Sequence, residues 1–144
     1  MPQPLCVLGA GSWGTAIAAL ANGDVRLWSR RAELAAEIND TRHNARYTGD
    51  LELPSSLTAT SSLADACSDA VAVLIAVPSA GFRTVAQDAS GAVAPGVPVF
   101  SLTKGIERGT NATMTEVLRA CLSDSPVGVV TGPNLAKEIA LGMP

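Results

Sequence analysis

Gly9, Gly11 and Gly14 stand at G-x-G-x-x-G spacing in Gly9-Ala10-Gly11-Ser12-Trp13-Gly14, directly after the apolar run Leu5-Cys6-Val7-Leu8 and before the alanine-rich run 15–22. A strand, a tight glycine turn and a helix start are the parts that hold the pyrophosphate of a dinucleotide. Gly9 permits the turn, Gly11 lets backbone approach a phosphate with no Cβ between them, and Gly14 lets the helix lie close to the strand. The helix's free N–H groups and the positive end of its dipole then face the anion.

Three further places carry charge or turn chemistry. Ser29-Arg30-Arg31 closes the next strand-like run, Val25-Arg26-Leu27-Trp28. A carboxylate at that position accepts from the 2′-hydroxyl of NAD, whereas a positive group suits the 2′-phosphate of NADP. Asp24 precedes the strand and Glu33 lies in the next helix, so no acid stands there and NADP is favoured over NAD. Two arginines at a helix start also suit plain solvation. Lys104 in Thr103-Lys104-Gly105-Ile106-Glu107 follows a strand end, where an ammonium can hold a phosphate or polarise a substrate oxygen, or simply be solvated. Thr131-Gly132-Pro133-Asn134 follows the last strand, and Pro133 suits a first helical position, which predicts a second helix start able to face an anion.

The elements that must position these residues alternate. Strands are expected at 5–8, 25–28, 57–60, 71–77, 97–102 and 127–130, and helices at 15–22, 32–39, 80–89 and 112–122, with Ser61 or Ser62 capping a short one that ends near Ala66. The run Val71 to Val77 is uninterruptedly aliphatic, as in a strand buried on both faces of a parallel sheet, and its end, with Pro78 and Ser79, should face the nicotinamide half of a cofactor. Segment 42–47, Arg-His-Asn-Ala-Arg-Tyr, reads as a loop with Tyr47 near the adenine edge. The alternation predicts an α/β fold, a Rossmann-type doubly wound and mainly parallel sheet with helices on both faces.

Composition narrows the functions. At 144 residues the chain suits one domain. A hydrophobic content of 47% against 16% charged residues argues against disorder, and a net charge of −3 without a basic stripe argues against a nucleic-acid partner. No apolar run approaches the ~20 residues of a membrane span and the N-terminus lacks a leader pattern, so a cytoplasmic location is expected. Cys6, Cys67 and Cys121 are far apart in sequence and in apolar surroundings, which suits small core residues with neither disulfide nor metal chemistry. His43, the one histidine, has no acid or nucleophile at motif spacing and suits packing or hydrogen bonding rather than general base work.

Taken in order, GAGSWGTAIA, LWSRR, RHNARY, AVPS, TKGIE and TGPNLAKEIA resemble the cofactor-binding half of bacterial NAD(P)-dependent sn-glycerol-3-phosphate dehydrogenases across essentially the whole chain. The resemblance implies reduction of dihydroxyacetone phosphate to sn-glycerol 3-phosphate by hydride transfer from NAD(P)H, for phospholipid synthesis, and a homodimer for the full-length protein. It also implies roles. Ser12, Trp13, Arg30, Arg31, Tyr47 and Ala136 match cofactor contacts, Lys104 matches a contact to both cofactor and substrate, and Gly132 and Asn134 match substrate contacts. The family's catalytic base belongs to a helical second domain, so no catalytic residue is expected within 1–144, and the chain alone is expected to bind cofactor without turnover. Two departures stand out: the turn 21–25 is short, and Tyr47-Thr48-Gly49 replaces Tyr-Leu-Pro. Two other readings stay open, a dehydrogenase for another small hydroxy acid and a non-catalytic dinucleotide-binding module.

Overall fold

The computed structural model describes residues 2–132 and 135–143. Six strands, β1 (Leu5–Leu8), β2 (Val25–Trp28), β3 (Leu57–Thr60), β4 (Ala72–Ile75), β5 (Val99–Ser101) and β6 (Val127–Val129), form one sheet in the order β3-β2-β1-β4-β5-β6. Every pairing is parallel. Between them lie α1 (Ser12–Leu20), α2 (Ala32–Thr41), α3 (Ala45–Thr48), α4 (Leu63–Cys67), α5 (Ser79–Ala89) and α6 (Met114–Cys121), and α7 (Ala136–Ala140) follows β6. The order reverses between β1 and β4, leaving a crevice at the carboxyl ends of these two strands where α/β sheets bind ligands.

Strand periodicity divides the core. Cys6, Leu8, Trp28, Val73, Ile75 and Val99 face α4, α5 and α6, while Val7, Val25, Leu27, Leu57 and Ala59 face α1 and α2. The edge strand β3 is covered by a side chain: Asn39 of α2 donates to the Ala59 carbonyl and accepts from its N–H, each at 2.8 Å. That amide occupies the place of a further strand, which protects an edge from stray pairing.

Several expectations change. α1 begins at Ser12 and ends at Leu20, three residues before its predicted start and two before its predicted end, so the glycine turn runs straight into the helix. The strand expected at 71–77 is only four residues long. Val73 and Ile75 are buried, but Ala72 and Leu74 are half-covered and Val71 is half-exposed, so the aliphatic run does not mark burial on both faces. The loop expected at 42–47 ends in a helical turn, because the Asn44 carbonyl accepts from the N–H groups of Tyr47 at 3.0 Å and Thr48 at 2.9 Å. α7 starts at Ala136 with Leu135 as its N-cap and is five residues long, too short for the second anion-facing helix start that was expected. Pro133, assigned the first position of that helix, lies outside the described residues.

Candidate functional site

The glycine turn is closed on one side and open on the other. Gly9 has φ +123°, and a Cβ there would stand 2.3 Å from the Ala76 carbonyl oxygen; at Gly14 it would stand 1.9 Å from the Gly9 carbonyl oxygen. Neither position accepts a side chain. At Gly11, the N-cap of α1, a Cβ meets nothing within 4 Å. The turn is pinned from behind, since the Gly9 N–H donates to the Trp28 carbonyl at 3.0 Å and the fully buried Asn44 amide donates to the Ala10 carbonyl and to Thr15 Oγ1, both at 2.9 Å. The same Asn44 opens α3, so the Tyr47 segment and the glycine turn are tied together. Its Oδ1 is buried with no partner among the described residues.

Two cavities meet at this turn. One, of about 430 Å³, is lined by Gly11, Ser12, Trp13, the β4 end Ala76 to Ser79, Leu102 to Lys104, and Ala136. The other, of about 480 Å³, is lined by Gly9 to Gly11, Trp28 to Arg31, Leu34, Tyr47, Ala76 to Pro78 and Gly81. They share Gly11, Ala76, Val77 and Pro78, and so form one trough across the strand-order reversal with the open face of Gly11 at its middle. A larger cavity of about 960 Å³ lies beside it, between α1, α3 and α7, and is bordered by Ser12, Tyr47 and Ala136.

The trough is lined by most of the residues singled out from sequence: Gly9, Gly11, Ser12, Trp13, Arg30, Arg31, Tyr47, Lys104 and Ala136. Gly14 lies behind the turn rather than in it. Gly132 lines none of the three cavities, and Asn134 lies outside the described residues. Sequence reasoning missed Ser29, Leu34, Gly81, Leu102 and Thr103 as lining residues. Ser29 is buried and its Oγ accepts from the Arg31 N–H at 3.2 Å, which sets the turn that presents both arginines. Arg30 leans across the trough, its NH2 3.9 Å from where a Cβ on Gly81 would stand.

Electrostatics favour an anion here. Arg83–Glu107 is the one ion pair among the described residues, so Arg30, Arg31 and Lys104 have no carboxylate among them within 4 Å, and no acidic residue lines either cavity of the trough. Glu107 itself is held down at about 2 by the Arg83 guanidinium and the Thr110 hydroxyl. A depressed carboxylate keeps its pairing above the ordinary carboxylate range and loses it only as pH falls toward 2. His43 makes the modest contact expected of it, with Nδ1 3.1 Å from the Leu51 carbonyl oxygen. Two of the cysteines, far apart in sequence, meet: Cys6 Sγ and Cys67 Sγ are 3.8 Å apart and buried. The neighbouring sulfur and burial push the Cys6 thiol up and keep it neutral.

Residues 4–144 match the family described as the NAD-dependent glycerol-3-phosphate dehydrogenase N-terminus. The chain belongs to that family. It is 45% identical over 138 residues to glycerol-3-phosphate dehydrogenase (NAD(P)+) 2 of Sphingopyxis alaskensis, covering 94% of this chain and 41% of that protein. It is 49% identical over 146 residues to glycerol-3-phosphate dehydrogenase (NAD(P)+) of Acinetobacter baumannii, covering 97% and 40%. The crystal structure of glycerol-3-phosphate dehydrogenase from Coxiella burnetii superposes with a TM-score of 0.92 at 32% identity, covering 99% of this chain and 44% of that one. The chain thus spans well under half the length of these glycerol-3-phosphate dehydrogenases. No helix among its described residues is long and apolar enough to cross a membrane.

Proposed function

We propose that residues 1–144 form a single domain that binds NAD(P)H, with NADP(H) preferred, as the cofactor half of an oxidoreductase acting on dihydroxyacetone phosphate and sn-glycerol 3-phosphate. The observation that carries this reading is the open face of Gly11 at the start of α1, set between a cavity that ends in Arg30 and Arg31 and one that ends in Lys104. These residues fit a dinucleotide phosphate. The α1 N–H groups face outward at a place where no Cβ intervenes, and the surrounding charges are positive. Family membership supports the substrate, and the relatives' names carry NAD(P)+.

In this reading Ser12, Trp13, Ala136 and Lys104 border the nicotinamide half, while Tyr47, Arg30 and Arg31 border the adenosine half. Bound NAD(P)H supplies the hydride. Lys104 holds the phosphate or carbonyl oxygen of the substrate at the mouth of the cavity, with Gly132 and Asn134 as further substrate contacts carried over from the family. Ala76 to Pro78 and Trp13 give the trough apolar walls. A cytoplasmic location and, at the relatives' full length, a homodimer belong to the same proposal.

Cofactor choice provides the test. Charge-assisted hydrogen bonds to a 2′-phosphate are worth ~1.5–3 kcal/mol, or roughly ten- to a hundredfold in affinity. Arg30→Ala is expected to weaken NADPH by that factor and leave NADH nearly unchanged in calorimetric titrations. Equal losses for both cofactors would remove the 2′-phosphate from Arg30.

A further inference from the structure

Glu107 closes the motif that carries Lys104, yet it lines neither cavity of the trough. Its carboxylate is gripped on both oxygens. Arg83 Nε donates to Oε1 at 2.6 Å, Arg83 NH2 to Oε2 at 2.8 Å, and Thr110 Oγ1 to Oε2 at 2.5 Å. Its backbone is gripped as well, its N–H donating to the Ala112 carbonyl at 2.8 Å and its carbonyl accepting from Asn111 N–H at 3.0 Å. Arg83 belongs to α5, whose Phe82, Val85 and Ala86 are fully buried, so the grip comes from a rigid part of the core.

On its other side Lys104 follows a second anchor. Thr103 Oγ1 donates to the Val77 carbonyl at 2.6 Å and Thr103 N–H donates to Ser101 Oγ at 3.1 Å. Between the two anchors lie Lys104, Gly105 at φ +101° and Ile106. A glycine hinge beside an exposed lysine leaves that lysine free unless both sides are held.

We propose that Glu107, held by Arg83, is a positioning residue that fixes Lys104 at the mouth of the nicotinamide-side cavity. The inference deepens the proposed function and rests on it for the identity of the ligand. Glu107→Gln keeps the shape of the side chain and one acceptor oxygen while removing its charge, so it loosens the pair without emptying its place.

The test is a double-mutant cycle on the 144-residue chain, read by NADPH calorimetry and by amide hydrogen exchange of Glu107 and Asn111, whose N–H groups are bonded within the loop, without cofactor. Glu107→Gln is expected to lower NADPH affinity at least about threefold, with no further loss when Lys104→Ala is already present, since groups acting through one another are non-additive. It should also speed exchange of the Glu107 and Asn111 amides, the two that the loop's own hydrogen bonds protect, about tenfold or more, and by a larger factor than the amides of α5, as local opening without global unfolding does. Arg83→Gln must reproduce both effects from the α5 side, and the exchanged pair R83E with E107R must restore them. Unchanged exchange in Glu107→Gln and Arg83→Gln overturns the proposal, as does an affinity loss that adds independently to that of Lys104→Ala. Absence of NADPH binding in the unsubstituted chain would fell the cofactor reading instead, while the exchange data still decide whether the clamp exists.

Discussion

Gly11→Val is expected to leave the domain folded and to abolish binding of NADPH and NADH alike. The backbone at Gly11 has φ −78° and ψ −172°, which any residue adopts, and an added Cβ meets no protein atom within 4 Å. The folding cost is limited to an aliphatic N-cap in place of glycine, about 1 kcal/mol or less. The binding cost is far larger, because the new methyls stand where phosphate oxygens reach the α1 N–H groups. Two charge-assisted hydrogen bonds lost at ~1.5–3 kcal/mol each weaken affinity by roughly 10²–10⁴-fold. Thermal melting beside calorimetric titration separates the two effects. A folded variant that binds normally would show that the phosphates do not approach this turn.

Gly14→Ala has the opposite signature. Inside an exposed helix the exchange gains about 1 kcal/mol from propensity. Here the new Cβ lands 1.9 Å from the Gly9 carbonyl oxygen and 3.2 Å from Ala76 Cβ, and the turn is held on both sides of that carbonyl, by the Gly9 N–H bond to Trp28 and by the Asn44 bond to the Ala10 carbonyl. Helix α1 must lift off the end of β4. Overpacking of this kind costs ~1–3 kcal/mol and occasionally more, and contact with backbone places it at about 4 kcal/mol, a net loss of about 3 kcal/mol once the propensity gain is subtracted. For a domain of this size the melting temperature falls by roughly 6–12 °C. A variant that melts at or above the parent temperature would mean that α1 does not rest on the turn.

The two glycines show which features a sequence displays openly. Spacing alone distinguished the turn glycine Gly9 and the packing glycine Gly14 from Gly11, where a Cβ meets nothing, since a missing Cβ has few uses, and the parallel sheet follows from alternating strands and helices joined by short connections. Strand and helix ends were less visible. The run 71–77 reads as one long strand because valine and alanine mark burial and pairing equally well, and pairing stops at Ile75 where the chain turns toward the crevice. Segment 42–47 hides a helical turn because Asn44 does its work through tertiary bonds to Ala10 and Thr15, thirty residues distant in sequence. Thr113 and Glu116 carried a readable signal that was missed, a capping box that starts α6 with Thr113 N–H donating to Glu116 Oε2 at 2.7 Å. The pairing of Arg83 with Glu107 had no signature at all, since nothing in the order of residues says which loop meets α5.

The two tryptophans of this chain fall at opposite ends of the trough. Trp13 lines the cavity that ends in Lys104, and Trp28, its indole N–H donating to the Ser61 carbonyl at 3.0 Å, lines the cavity that ends in Arg30 and Arg31. The placement gives the molecule two optical probes, one per cavity. Reduced nicotinamide absorbs where indole emits, so NADPH should quench both rings by energy transfer and light up its own fluorescence in return. ADP-ribose, which lacks the acceptor, should perturb only the buried Trp28 through local polarity. Replacing each tryptophan in turn with phenylalanine would then show, by emission alone, which half of a dinucleotide is seated first.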